Sequence, residues 1–287
     1  MLKLQKSLLD GTYTTSKYKI FTIFEPKERE IFALPYYPDR IVHHAIMNIL
    51  EPIWKNIFIK GTYSSIKGRG IHAAMKDVKK CLKGYRHRKQ KSYFLKLDIR
   101  KFYPSIDHDI LKSIIRRSIR DKWLLNLLDE VIDSANGVPI GNYLSQYFAN
   151  LYLTYFDHYV KEVLKVENYF RYCDDVVIIA DNKEVLHEYF KAIDKYVTTK
   201  LKLKIKPNYR IAPTSEGIDF TGYVMTPYYT KLRKSIKCKM LKKAYKLAKK
   251  KNFSIKGYFD ALGSYEGWLK YANAKGLRWA LFFTPII

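Results

Sequence analysis

Apolar and polar residues alternate along the chain with two periods, one typical of β-strands and one typical of α-helices. Runs with a period of two, rich in β-branched and aromatic residues, predict strands at 18–24, 30–34, 93–99, 169–180 and 217–225. Apolar residues spaced by three or four positions predict helices at 39–50, 71–85, 108–128, 147–156, 183–200 and 231–256. We find no internal repeat and no low-complexity linker in this order.

Two adjacent aspartates, Asp174 and Asp175, lie between strand-like runs that read YFRY and VVIIA. A short junction between two strands predicts a β-hairpin tip, and the apolar run after it predicts a buried hairpin. Neighbouring carboxylates repel each other unless a cation neutralises them, and Mg²⁺ prefers carboxylate oxygens. The alternative is an ordinary Asp-Asp turn on the surface. The five apolar residues that follow favour a metal site instead.

A third aspartate, Asp98, ends the predicted strand at 93–99 and is the second half of this candidate metal site. The alternative is that Asp98 caps the segment after it. Asp107 is the better candidate for that cap, because it directly precedes a helical pattern. Asp39 is predicted to cap the helix at 39–50 in the same way.

Composition then narrows the class of partner. The 287 residues include 53 Lys and Arg against 27 Asp and Glu, a net charge of +26, which implies a polyanion such as nucleic acid. A membrane surface is the weaker alternative. The 3 cysteines lack metal-ligand spacing, which favours reduced thiols in a cytosol. No secretory signal and no apolar run of about 20 residues is present, so we expect a cytoplasmic protein without a membrane span.

The positive charge is concentrated in a few segments. The range 231–256 has 12 Lys or Arg residues and no Asp or Glu, and predicts an amphipathic helix that needs a polyanionic partner. Lys27 and Arg29 lie at a predicted hairpin turn, where they could clamp a triphosphate or be merely solvated. Arg69 stands between two glycines in a turn whose backbone could approach phosphates. The basic range 83–91 is predicted to be an exposed loop.

Three motifs in this order resemble the reverse transcriptases. They read FLKLDIRKFYPSIDH at 94–108, GVPIGNYLSQ at 137–146 and YCDD at 172–175. The segment DFTGY at 219–223 resembles the primer-grip hairpin of the family, and Arg29 with the range 32–42 resembles the fingers entry of its bacterial members. The resemblance extends from about residue 18 to the C-terminus. A Tyr-x-Asp-Asp box is a weak signal by itself, but it is specific when the other motifs accompany it in this order.

The resemblance implies an α+β, right-hand polymerase fold with fingers, a palm of antiparallel sheet plus helices, and a short helical thumb. It places the fingers at 1–90, the palm with inserted finger helices at 91–228, and the basic helical thumb at 229–287. We therefore expect no room for the maturase, DNA-binding, endonuclease or ribonuclease H domains of other members.

The resemblance also implies residue roles in an RNA-directed DNA polymerase that uses two Mg²⁺ ions, or Mn²⁺. The expected catalytic residues and metal ligands are Asp98, Asp174 and Asp175, and the main-chain carbonyl of Ile99 is a further ligand. The expected nucleotide-binding residues are Lys27, Arg29, Tyr103, Ile140 and Gly141, with Tyr103 as an aromatic gate against a ribose 2′-hydroxyl. The expected template- and primer-binding residues are Arg69, Ser145, Gln146, Gly222, Lys239, Lys243, Lys246 and Lys250.

The second motif narrows the expected subgroup. Retroviral and group II intron enzymes carry Gln-Gly-x-x-x-Ser-Pro, whereas Ile140 and Gln146 stand here in place of the Gln and the Pro. This pattern and the tail at 264–273 resemble the reverse transcriptases of diversity-generating retroelements; anti-phage or retron-like enzymes are the alternative. Because isoleucine cannot hydrogen-bond near the incoming nucleotide, we expect misinsertion, notably opposite template adenine.

The expected partners are template RNA, primer, cDNA product and dNTPs, together with the small basic accessory protein of the retroelement family, which is a pentamer. Two classes of protein are rivals. A non-catalytic basic RNA-binding protein would need the charge but not the three aspartates. The other rival is a palm-type enzyme such as a nucleotide cyclase or a template-independent polymerase. A cyclase would not need a long cationic helix or a primer-grip hairpin, and dependence on a template separates both from a reverse transcriptase. All three aspartates are present, which favours the polymerase.

Overall fold

The computed structural model describes residues 2–24, 28–249 and 254–282. The helices of this described part are α1 (Leu2–Leu9), α2 (Ile41–Ile57), α3 (Ile71–His87), α4 (His108–Ile115), α5 (Lys122–Asp133), α6 (Tyr143–Tyr152), α7 (Thr154–His158), α8 (Lys183–Lys200), α9 (Lys234–Ala248), α10 (Ile255–Lys270) and α11 (Lys275–Phe282). Its strands are β1 (Lys19–Ile23), β2 (Arg29–Ala33), β3 (Tyr93–Asp98), β4 (Asn168–Tyr172), β5 (Asp175–Ala180), β6 (Arg210–Pro213), β7 (Ile218–Phe220), β8 (Tyr223–Met225) and β9 (Thr230–Leu232).

A four-stranded antiparallel sheet with the order β4-β5-β3-β6 lies at the centre. Successive side chains of a strand point to opposite faces. Val176 and Ile178 of β5 therefore pack into one hydrophobic core, and Val177 and Ile179 into a second. Because both faces are covered, β5 is apolar at every position after its first residue.

The two cores are built from different helices. The first contains buried residues of α2, α4, α5, α6, α7 and α8. The second combines α3 with the three-stranded sheet β7-β8-β9 and with α9 and α10. A separate two-stranded hairpin, β1-β2, lies outside both sheets. Strands and helices are thus mixed around antiparallel sheets, and the predicted α+β class is confirmed.

Several local predictions are wrong. Asp39 does not cap α2; its carboxylate is fully buried and accepts hydrogen bonds from the Tyr13 hydroxyl (2.7 Å) and the Ser16 N–H (3.0 Å). The helix predicted at 108–128 is two helices, because Asp121 caps a new one by accepting from Leu124 N (2.7 Å). Asp107 caps α4 as predicted, accepting from Ile110 N at 3.0 Å.

Two basic segments also differ from expectation. The range 83–91, predicted as a loop, begins with the last turn of α3, which ends at His87. The range 201–207 alternates apolar and basic residues, a pattern that predicts an edge strand with a cationic face. It forms no regular strand and pairs with the chain after β3 through an isolated bridge between Ile99 and Ile205. None of the helices in the described ranges is long and apolar enough to cross a membrane.

Candidate active site

The central sheet brings three predicted aspartates together. Asp98 is the last residue of β3 and lies directly opposite Asp175, the first residue of β5. Asp174 occupies the two-residue turn between Tyr172 and Asp175, which pair across the β4-β5 hairpin. The Ile99 N–H donates to the Asp174 carbonyl oxygen at 3.3 Å, so the end of β3 and the turn are directly connected.

Burial raises the pKa values of two of these carboxyl groups. Burial raises the pKa of Asp175 to about 7; Lys96 opposes this, and the charge of Asp98 adds to it. Burial, followed by the charge of Asp98, also raises the pKa of Asp174. The negative charge of the cluster is therefore unfavourable without a nearby cation.

Two lysines, neither of which was assigned a role from the sequence, contact these carboxylates. The Lys206 ammonium group forms an ion pair with Asp98, and Lys96 Nζ lies 3.4 Å from Asp175 Oδ2. Lys96 also donates to the main-chain oxygen of Asp219 in β7. Lys96 precedes Asp98 by two residues in one strand, so strand periodicity alone could have placed both on the same face.

The donor set fits a divalent metal ion in its chemistry. Asp175 Oδ1 is buried and accepts no hydrogen bond, and Asp98 Oδ1 contacts Lys206 without accepting a well-aligned one. Carboxylate oxygens without protein donors are suitable Mg²⁺ ligands. Within the ranges 2–24, 28–249 and 254–282, however, no three His, Cys, Asp or Glu side chains converge tightly enough to form a preassembled metal cluster.

The turn that carries Asp174 is held from two sides. Cys173 has a φ of +57°, a left-handed conformation that is unfavourable for a residue other than glycine. Arg171 Nη1 donates to the Cys173 carbonyl oxygen at 2.9 Å, and the Cys173 thiol donates to the Tyr103 hydroxyl at 3.6 Å. These contacts fix the backbone immediately before Asp174.

Arg171 is itself part of a buried network that sequence reasoning missed. Its guanidinium group is fully buried and makes two hydrogen bonds to Asp157 in α7, at 2.7 and 2.5 Å. Asp157 also accepts from the hydroxyl groups of Tyr169 (2.6 Å) and Thr62 (3.0 Å). A charged residue inside an apolar strand was the available signal, because buried charges are usually paired.

Of the residues predicted to contact a nucleotide, Arg29 lies near Tyr103, and Ile140 and Gly141 lie against β2. Burial raises the pKa of Tyr103, and the charge of Arg29 partly opposes that shift, so Arg29 of β2 lies within electrostatic reach. The Ile140 carbonyl oxygen accepts from Phe32 N at 2.8 Å, which attaches β2 to the glycine-containing loop. Gly141 has a φ of +124°, and a Cβ there would lie 2.9 Å from the Phe32 carbonyl oxygen. Lys27 lies outside the described residues.

The predicted template contacts at Arg69, Ser145 and Gln146 have structural partners. Ser145 is buried in the first turns of α6, and Gln146 Oε1 accepts from Ser65 Oγ at 2.6 Å. Arg69 Nη1 donates to the Ile59 carbonyl oxygen at 2.8 Å, which secures the loop before α3. These contacts account for the conformations of the side chains, and their roles toward a template stay predictions.

The predicted primer contacts lie at the packing of β7-β8 against α9 and α10. Gly222, with a φ of +86°, is buried, and a Cβ there would meet the Trp268 ring at 2.6 Å and Ile236 at 2.9 Å. Packing therefore explains this glycine. Lys243 donates to the Ala261 carbonyl oxygen at 2.6 Å and faces α10. Lys239 and Lys246 are exposed on α9. Lys250 lies outside the described residues.

Comparison with known proteins agrees with this geometry. A family model described as "Reverse transcriptase (RNA-dependent DNA polymerase)" matches residues 25–225. The chain is 26% identical over 174 residues to the "Group II intron-encoded protein LtrA" of Lactococcus lactis subsp. cremoris, covering 56% of this chain and 28% of that protein. It is 27% identical over 173 residues to "Protein YkfC" of Escherichia coli (strain K12), covering 55% and 45%. The chain thus spans less than half the length of either relative.

Among solved structures, the fold resembles two telomerase structures from Candida tropicalis. The apo form truncated from its C-terminal domain gives a TM-score of 0.61 at 14% identity, over 76% of this chain and 55% of that one. The form in complex with a fragment of telomeric RNA gives 0.62 at 13% identity, over 92% and 52%. At this level of identity the likeness shows the fold alone, and the predicted right-hand polymerase fold is confirmed.

Proposed function

This chain belongs to the reverse transcriptase family, and from that premise we propose that it is an RNA-directed DNA polymerase that copies a template RNA into cDNA. The observation that carries the proposal is the meeting of Asp98, Asp174 and Asp175 where β3 adjoins the β4-β5 turn. The division into fingers at 1–90, palm at 91–228 and thumb at 229–287 is part of the same proposal.

The reaction is the attack of a primer 3′-hydroxyl on a nucleotide phosphorus with loss of pyrophosphate, and it depends on positioning and charge stabilisation. Mg²⁺ ions held by the three aspartates and the Ile99 carbonyl oxygen would lower the pKa of the attacking hydroxyl and stabilise the leaving oxygen. The protein's own groups position the reactants. Arg29 binds the triphosphate, and the partly buried Tyr103 ring excludes a ribose 2′-hydroxyl. Lys96 and Lys206 each place a positive charge beside one carboxylate, Lys96 beside Asp175 and Lys206 beside Asp98.

Primer extension tests this function. Purified protein is incubated with a primed RNA template, Mg²⁺ and dNTPs, next to an Asp174→Asn variant and an Asp181→Asn control. Asp181 follows β5 and is exposed, so Asp181→Asn removes a carboxylate without touching the site. Removal of a group that only supports a metal ligand costs about 10–100-fold in activity. We expect Asp174→Asn to lower the rate of primer extension by more than this, whereas the control should extend the primer at the wild-type rate.

Two of the rival functions have their own outcomes in this assay. Extension without any template would indicate a template-independent polymerase. RNA binding without extension by any of the proteins, over a range of Mg²⁺ and Mn²⁺ concentrations and with an added accessory protein, would favour a non-catalytic RNA-binding protein. Equal activity of wild type and Asp174→Asn would contradict the assignment of the site.

We further propose that the enzyme is error-prone at template adenines, as in diversity-generating retroelements, with template RNA and a small basic accessory protein as partners. The support is Ile140, where related enzymes have a glutamine that can hydrogen-bond near the incoming nucleotide. The anti-phage or retron-like enzymes are the alternative subgroup. Accurate copying of template adenines would favour them over the retroelement enzymes.

The variant Ile140→Gln tests this subtype, with Ile140→Leu as a control that keeps an apolar side chain. The main-chain bond from Phe32 to the Ile140 carbonyl oxygen does not involve the side chain, so both variants retain it. Single-nucleotide extension opposite adenine is measured with each of the four dNTPs. We expect misinsertion to fall by about fivefold or more with Gln, the value of roughly one added hydrogen bond, and to be unchanged with Leu. Equal misinsertion in all three proteins would contradict the proposal.

A further inference from the structure

A second concave site lies at the far end of β4 from the catalytic turn. It has a volume of about 520 Å³, within the range of small-ligand pockets. One wall is α3 and Arg88, the residue directly after it. Lys80, Gly84 and Arg88 follow each other at intervals of four residues and so share one face. The opposite wall is the start of β4, Asn168–Phe170. Lys60 and Lys161 complete the cationic part of its lining.

The walls combine cations with neutral surface. Arg88 stacks over the Tyr85 ring at 5.0 Å. Four aromatic residues line the cavity, each largely buried with 4–7% of its surface exposed: Tyr63, Tyr85, Tyr169 and Phe170. Burial raises the pKa of the Cys81 thiol to about 12, so this part of the wall is uncharged at neutral pH. Two carboxylates are present, Asp77 and Glu167, and Asp77 accepts from the Tyr63 hydroxyl at 2.8 Å. Among the described residues, Lys60 and Lys80 form no ion pair with any carboxylate.

The charge extends well beyond the pocket. From Lys79 to Lys91 the chain has 7 Lys or Arg residues, and it has no Asp or Glu between Asp77 and Asp98. The cations at 80, 83, 86, 88, 89 and 91 are exposed on the C-terminal half of α3 and the chain that follows it. A free mononucleotide would need only a few of these charges. A row of this length suits the phosphates of a polynucleotide.

We propose that this surface is a second RNA-binding site, which holds a structured RNA by its phosphates on α3 and takes one unstacked nucleotide into the pocket. Aromatic and guanidinium surfaces are what unstacked RNA bases bind. The strand from Asn168 to Tyr172 is about 13 Å long, so RNA bound here leaves the catalytic turn free. This proposal rests on the proposed function in one respect: for a reverse transcriptase, the bound RNA is the RNA that the enzyme copies, held at a position outside the copied segment.

The test measures binding of two short RNA stem-loops that differ only in one bulged nucleotide, without metal ions or dNTPs. Three variants are compared with wild type after thermal unfolding has shown that each is folded. Lys80→Ala/Arg88→Ala removes two cations of the pocket. Lys191→Ala/Lys195→Ala removes two exposed cations of α8, as the matched control. Gly84→Leu fills the pocket at constant charge, and its helical position tolerates a larger residue, since an added Cβ would meet only Arg88 Nη1 at 3.4 Å.

We expect wild type to prefer the bulged stem-loop by about fivefold or more, the lower end for a base held against an aromatic surface. Gly84→Leu should abolish this preference without changing affinity for the unbulged RNA. Lys80→Ala/Arg88→Ala should weaken binding of both RNAs and reduce the slope of log affinity against log salt by about 2, relative to the α8 control.

Three results would overturn the proposal. They are a wild type without preference for the bulge, a preference that survives Gly84→Leu, and equal salt slopes for the two double variants. Displacement of the RNA by adenosine monophosphate at equal affinity would instead indicate a free-nucleotide site. If the variants weakened binding of an acidic peptide such as polyglutamate but not of RNA, the site would instead bind a protein partner. Because no catalysis is measured, these outcomes are independent of the primer-extension result.

Discussion

At the scale of single residues, Arg171 carries a fully buried charge two residues before the turn that ends at Asp174. Its guanidinium group divides its hydrogen bonds between Asp157, the Asn150 side chain (3.3 Å) and the Cys173 carbonyl oxygen. The first partner neutralises the charge, and the last holds a backbone with positive φ. One side chain therefore has both a stability role and a positioning role, and the two can be separated by mutation.

We expect Arg171→Met to lower the free energy of unfolding by about 3–5 kcal/mol, because it leaves Asp157 buried without its cation. The double variant Arg171→Met/Asp157→Leu should regain part of this loss, since apolar residues can replace a buried ion pair. It should still extend a primer about tenfold more slowly, because the bond to Cys173 is absent in both. Denaturant unfolding and single-turnover extension measure the two effects. A double variant that regains stability and full activity together would show that Arg171 does not position the turn.

At the scale of elements, the hairpin β7-β8 is held between the catalytic strand and the C-terminal helices. Lys96 of β3 reaches its Asp219 carbonyl oxygen, and the Asp219 carboxylate accepts from Arg233 Nε at 2.7 Å. On the other side, Gly222 lies under Trp268 of α10. The packing of α10 on the sheet therefore requires a residue without Cβ at this position.

Gly222→Ala should destabilise the protein by about 2–4 kcal/mol, combining left-handed strain of about 1–2 kcal/mol with displacement of the Trp268 ring. In a Trp268→Leu background the same change should cost only the strain. Gly263→Ala in α10 is the matched control; a Cβ there meets nothing within 4 Å, so it should be neutral or stabilise by about 0.5–1 kcal/mol. Denaturant unfolding measures all of these, and an equal cost of Gly222→Ala in both backgrounds would exclude the ring as its cause.

At the scale of the whole molecule, what the sequence predicts well is what short-range patterns determine. The β4-β5 hairpin and α8 follow from apolar periodicity, and the aspartate motifs follow from their position at strand ends. The missed features depend on residues far apart in the chain. Arg171 pairs with Asp157 in another element, and Asp39 is buried because Tyr13 and Ser16 reach it from the N-terminal segment. Periodicity contains no information about such partners.

The net charge of +26 belongs to the whole molecule, and it leads to the last prediction. With 53 Lys and Arg against 27 Asp and Glu, many cations have no carboxylate to neutralise them. If six to ten of them neutralise RNA phosphates, affinity for a primed RNA template should fall by about 10³–10⁵ between 50 and 200 mM salt. Removal of two exposed α9 cations by Lys242→Ala/Lys246→Ala should reduce the slope by about 2, whereas Lys191→Ala/Lys195→Ala on α8 should leave it unchanged. Fluorescence anisotropy titrations over a salt series measure the slopes. Equal slopes for the two double variants would mean that Lys242 and Lys246 do not contact the nucleic acid backbone and that their charge is merely solvated.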